Sequence, residues 1–134
     1  MTLRRKSREF ALQMLFEWDM TRQDTARVEK LFWKSARAAA STRDFANKLF
    51  EGAVAQAGAI DSMIGKLAEN WRLDRLAAID RNILRLAIYE LRGSTAPPKV
   101  IVDEALELAK KFSSAEAPAF LNGVLDAALK SLAT

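Results

Sequence analysis

The stretch Asp80-Arg81-Asn82-Ile83-Leu84-Arg85-Leu86-Ala87-Ile88-Tyr89-Glu90-Leu91 decides the fold. Asp80 reads as a helix cap, and Ile83, Leu84, Leu86, Ala87, Ile88 and Leu91 leave the helix apolar nearly all round. A helix of that kind has to be covered on several sides, so it is expected at the centre of a helical assembly. Gly93 suits its C-cap, and Ser94–Pro98 a stiff connection.

The flanking segments supply the cover. Upstream, a first helix is expected from about Ser7 to Met20. Phe10, Met14 and Trp18 fall at i, i+4 and i+8 beside Ala11 and Leu15, while Phe16 lies off the centre of that stripe. Asp24 or Thr25 can cap a second helix, with Val28, Leu31 and Phe32 on its apolar face through to about Ala36. Ser41 or Thr42 can cap a third, with Asp44 in its first turn. Phe45, Leu49, Ala53 and Ala57 then follow at i+4 spacing, and Gly52 suggests close packing. Gly58 weakens the pattern and Asp61 offers a new cap before Ile64 and Leu67, so this is one kinked helix or two. Leu73–Ile79 reads as an irregular turn or short helix. Downstream, helices are expected from near Val100 to Phe112 and from near Pro118 to Leu132. With 24 Ala, 17 Leu and one short β-branched run, Val100-Ile101-Val102, the fold class is all-α, a compact bundle of six to seven helices.

Composition narrows the chemistry. The 134 residues include no His and no Cys, which removes the commonest general base, thiol nucleophiles, disulfides and the usual transition-metal ligands. Asp103, Glu104 and Glu107 form a tight carboxylate cluster, but Glu107 and Lys111 are spaced i,i+4 as in an ordinary solvated helix face. No nucleophile-elbow Ser and no Gly-rich phosphate loop is present. No catalytic residue, metal or cofactor is expected, and the chain is not read as an enzyme. A basic start interrupted by Glu9, Gln13, Glu17 and Asp19 is no signal peptide, and no membrane-length apolar run follows. A soluble cytoplasmic protein without membrane contact is the expectation.

The net charge of +4 is unevenly placed: residues 1–48 carry 11 Lys+Arg against 6 Asp+Glu, and the remainder 10 against 11. Its densest run is Arg4-Arg5-Lys6-Ser7-Arg8, expected just before and inside the first helical turn. Cations oppose the dipole there, which points to a polyanion as partner, with a solvated, frayed N-terminus as the alternative; arginine-rich segments often order on RNA, and basic arms contact DNA as well. Near the other end lies Phe120-Leu121-Asn122-Gly123-Val124-Leu125-Asp126. Between helical flanks, Gly123 is expected to permit close helix approach and Asn122 to bond buried backbone. Phe120 is either core or an exposed stacking group.

These segments together resemble the NusB family of bacterial transcription antitermination factors. The resemblance rests on Arg4 through Phe16, Asp80 through Leu91, and Lys99 through Asp126 with its Phe-Leu-Asn-Gly-Val-Leu-Asp signature. It implies one all-helical RNA-binding domain over residues 1–134, made of two small helical subdomains. The implied role is binding the boxA element of nascent ribosomal RNA with the ribosomal protein NusE, alongside RNA polymerase and other Nus factors, to suppress premature termination. Some members self-associate, so a homodimer is a further expectation. By this resemblance Arg4, Arg5, Lys6, Arg8 and Phe120 face RNA, and Phe16 and Asp80 the protein partner; Phe16 stands where the family often has Tyr. One rival is the similar helical domain of ribosomal RNA cytosine methyltransferases. Those chains continue into a large cofactor-binding domain, whereas this sequence ends at Thr134. A helical adaptor without RNA affinity is the other.

Overall fold

A computed structural model describes residues 2–68, 76–93 and 96–133. Among them are seven helices and no strand: α1 (Thr2–Thr21), α2 (Thr25–Ser35), α3 (Ala40–Ala55), α4 (Ala57–Leu67), α5 (Ala78–Gly93), α6 (Pro98–Phe112) and α7 (Ala117–Ala133). Helices α1–α3 pack as one group and α4–α7 as another. The central role expected for α5 holds, since it meets α4, α6 and α7 and also α1 and α3. Ile83, Leu84 and Ile88 are fully buried, each such side chain contributing roughly 1.5–3 kcal/mol. No described helix is long and apolar enough to cross a membrane.

Helix α1 is nearly as enclosed. Phe10, Ala11, Met14 and Leu15 form the expected stripe, and Leu12 is buried as well because α5 covers the side away from α3. Phe10, Phe32 and Trp33 pack edge to face, closing α2 onto α1. Leu31 is exposed, leaving Val28 as the buried residue of α2. Gly52 gives α3 its close approach to α5: a Cβ there would fall within the Tyr89 ring.

Several boundaries differ from the periodicity. Helix α3 begins at Ala40 without a side-chain cap, and Thr42 is buried with its carbonyl accepting from Ser7 Oγ at 2.8 Å. The kinked-or-two question resolves as two helices, broken at Gln56 rather than at Gly58. Asp61 therefore lies inside α4, where it pairs with Arg85 instead of capping. Asp80 sits in the first turn of α5, not at its cap, and accepts from Ser113 Oγ just beyond α6. Gly93 is the last residue of α5, with no left-handed conformation. That conformation falls to Arg22 (φ 54°), which ends α1 stacked over Trp18. Part of the Leu73–Ile79 segment lies outside the described residues.

Charge is buried where α5 meets α4 and α1. Arg85 is almost fully enclosed and bonds both Asp61 oxygens at 2.8 Å. Arg81 grips Asp19 of α1 at 2.6 and 2.8 Å, and Asn82 adds a third bond to the same oxygen at 3.1 Å. Burial alone would raise the Asp19 pKa, but Arg81 and Arg85 outweigh it and bring it down to about 2.

Candidate nucleic-acid interface

The basic run lies within α1, and the helical turn sends its members to different neighbours. Arg4 is exposed and stacks its guanidinium 3.8 Å from the Phe45 ring centroid on α3. Arg5 reaches α6, with Nε and Nη2 donating to Glu104 at 3.1 and 2.7 Å. Lys6 points outward beside Glu9. Arg8 turns inward: both ends of its guanidinium bond Glu90 at 2.8 Å, and its side chain is 6% exposed. The hydrogen bonds to Glu104 and Glu90 hold Arg5 and Arg8 even more firmly protonated than usual.

Arg8 is thus set apart from the other members of the run. A buried guanidinium already bound at two points has no surface to offer a phosphate, and it ties α1 to α5. Glu104 is likewise no member of a solvated face, being buried beneath Arg5. Nor does Lys111 pair with Glu107: Lys110 takes Glu107 at 3.1 Å, and Lys111 crosses to Glu9 of α1 at 2.9 Å. Arg5, Glu9, Glu104, Glu107, Lys110 and Lys111 thus line one charged cleft between α1 and α6.

Further along the same side of α1 the surface becomes apolar. Leu12, Gln13, Phe16, Glu17, Phe32, Ile79 and Phe112 line a shallow groove of about 480 Å³. Phe16, off the stripe as read from its spacing, is 36% exposed there. Asp80 follows Ile79 in α5, and its bond to Ser113 secures the chain just beyond Phe112. The charged cleft and the groove adjoin through Lys111 and Phe112.

A family model described as the NusB family matches residues 5–130. The chain belongs to the NusB family. It is 49% identical over 131 residues to the transcription antitermination protein NusB of Koribacter versatilis, covering 96% of this chain and 90% of the relative. It is also similar to a solved T. maritima NusB structure, with TM-score 0.85 and 32% identity over 95% of this chain and 90% of that one. A chain in the crystal structure of antitermination factors NusB and NusE with dsRNA has TM-score 0.86 and 30% identity over 98% of both chains.

The C-terminal signature of this chain differs from the expectation for two residues. Asn122 and Gly123 are both exposed, and a Cβ on Gly123 would meet open space. The buried side of α7 is Ala117, Leu121, Val124, Leu125 and Ala128, which places 122 and 123 opposite the core. Neither close approach nor buried backbone bonding describes them. Phe120 is half-buried against the core, between the two alternatives open for it. Lys110 and Lys111 of the cleft, and Phe112 and Ile79 of the groove, were not singled out by the sequence. The adjacent Lys110-Lys111-Phe112 triplet at a helix end was the available signal, but only the tertiary crossing to Glu9 distinguishes it from dipole compensation.

Proposed function

We propose that this chain binds the boxA element of nascent ribosomal RNA together with NusE, and in that complex helps RNA polymerase pass premature terminators with other Nus factors. On this reading residues 1–134 act as one RNA-binding unit in the cytoplasm, with no catalytic step. The observation that carries it is the juxtaposition on one side of α1: exposed cations lead directly into an apolar groove centred on Phe16. Cations bind phosphates through a salt-dependent, largely sequence-blind term, so selectivity needs an added surface. NusE supplies that surface here, docked at Phe16 with Asp80 at the edge of its contact. Arg4, Arg5 and Lys6 hold the RNA backbone and Phe120 offers part of its ring to a base. Arg8 contributes by fixing α1. The solved NusB–NusE–dsRNA assembly supports the choice of partners.

Titrating boxA RNA and a scrambled RNA of equal length, with and without NusE, tests the reading. Weak binding alone, tighter binding with NusE and a preference for boxA are expected. Equal affinity for both RNAs in the presence of NusE overturns the specificity. Replacing Arg4, Arg5 and Lys6 with Ala lowers affinity and flattens its salt dependence.

A further inference from the structure

Glu9 of α1 presents one oxygen, Oε1, to two ammonium groups from distant parts of the chain, Lys111 Nζ at 2.9 Å and Lys6 Nζ at 3.5 Å. One carboxylate cannot neutralise both cations. Alongside, the buried Glu104 carries Arg5 above it in a one-to-one pair. Depth separates the charges: the Glu9 side chain is 9% exposed, whereas those of Lys6 and Lys111 are 55% and 54% exposed. Carboxylates therefore form an inner layer that anchors an outer layer of cations drawn from α1 and α6. Lys110, in the last turn of α6, adds a further cation beside them, paired with the exposed Glu107 at 3.1 Å. Between them the cleft offers about 330 Å³ of open space.

Charge-neutral surface pairs need no such layering. Lys99 and Asp103, at the start of α6, are both well exposed and pair i,i+4 at 3.4 Å with no contribution from another helix. Lys110 and Lys111 instead stand where two helices bring cations together, beside the groove that holds Phe16. The four cations Arg5, Lys6, Lys110 and Lys111 outnumber Glu9, Glu104 and Glu107, and a pre-oriented cation array with positive excess is what a phosphodiester backbone recognises.

Resting on the RNA-binding reading above, we infer that Lys110 and Lys111 bind RNA phosphates jointly with Arg5 and Lys6, making α6 the second wall of the RNA path. Phosphate contacts carry no sequence information, so boxA and scrambled RNA should lose affinity alike when these lysines are removed.

The test is titration of labelled boxA RNA into the NusE-saturated complex across a salt series, for wild type, R5A/K6A, K110A/K111A and K99A. The K110A/K111A variant should bind roughly tenfold more weakly near 0.15 M salt, with a log–log salt slope shallower by about 1.4. Its thermal midpoint should match wild type. K99A, about 16 Å away along α6 at 1.5 Å per residue, should stay within about twofold of wild type. An equal loss in K99A overturns the inference, because net charge alone would then explain it. K110A/K111A binding RNA like wild type while R5A/K6A binds poorly overturns it and leaves the RNA-binding reading standing. Weakened NusE affinity with unchanged RNA affinity also overturns it, making this wall a protein contact. If wild type binds no RNA, the underlying reading fails with it.

Discussion

Lys6 and Arg8 stand two residues apart in one basic run, and the fold treats them oppositely. Arg8 is sealed against Glu90 between α1 and α5, while Lys6 projects from the surface beside a carboxylate it shares with Lys111. The same contrast divides the charged groups of the whole molecule. Asp19, Arg81, Arg85 and Asp61 belong with Arg8, enclosed where helices meet; Arg5, Lys110 and Lys111 belong with Lys6. Both regions pair cations with carboxylates. What differs is the solvent, and with it whether a cation serves the fold or remains open to a ligand. A buried pair loses hydration on both partners and depends on keeping each of them, whereas an exposed pair is screened and replaceable.

The contrast is tested most severely at Arg8. Arg8→Ala leaves Glu90 buried without its main partner and should cost about 3–5 kcal/mol in urea unfolding. The double change Arg8→Met with Glu90→Leu should recover most of that loss, because no uncompensated charge remains. A single-variant cost near that of a surface ion pair would break the comparison.

Asp19 should give the next largest effect. Its folded pKa, about 2, lies below that of the unfolded chain, so the stability it contributes is present above about pH 4 and lost as pH falls toward 2. Removing the paired carboxylate should reveal about 2 kcal/mol, seen as wild-type stability falling toward that of Asp19→Asn over this window. Parallel curves for the two proteins would place Asp19 outside the buried class.

Glu29 of α2 tests a third arrangement, a carboxyl beside another carboxyl. Burial, then the hydrogen bond and repulsion from Glu51, push its pKa up to about 8. The sign reverses: its folded pKa exceeds the unfolded one, so its contribution is complete below about pH 4.5 and lost as pH rises toward 8. Glu29→Gln should therefore stabilise the protein at pH 8 by roughly 1 kcal/mol, the partial exposure of the pair keeping this small, and do little near pH 4.5.

How far these classes can be read in advance depends on the range of the interaction that sets them. The all-helical fold and the central place of α5 were legible because apolar periodicity is a local pattern and its consequence, burial, is nearly obligatory. The off-stripe position of Phe16 was legible for the same reason. Arg85 and Glu90 were not, although a helix apolar nearly all round has no dry place for an ion unless a partner meets it. That inference was available from spacing; the identities of Asp61 and Arg8 as partners were not, since they lie 24 and 82 positions away. The misreadings of Asp61 and Asp80 as caps share this cause: an acidic residue near a helix start satisfies a local rule until a distant arginine or serine claims it. At Gly123 and Asn122 an unusual dipeptide was assigned a packing role, whereas the buried side of α7 passes on its far side.

The smallest expected effect is the one on which the functional reading turns. Arg5→Ala and Lys6→Ala each break an ion pair, at 2.7 and 3.5 Å respectively. Lys6 is well exposed and Arg5 partly so, so water replaces much of what the substitution removes, and each variant should unfold within about 0.5 kcal/mol of wild type. Glu104 is the stricter partner, because it is buried and Arg5 grips it at two points, so Arg5→Ala should sit at the upper end of that range and Lys6→Ala near zero. Thermal melts at low and at high salt check the order, since a screened contribution shrinks as salt rises and a desolvated one does not. A loss for Lys6→Ala comparable to that for Arg8→Ala would place the outer layer in the fold rather than on a ligand surface. Near-zero cost leaves Lys6, past the first turn of α1, with no task that folding requires. A residue kept at no benefit to its own helix is explained by what it binds.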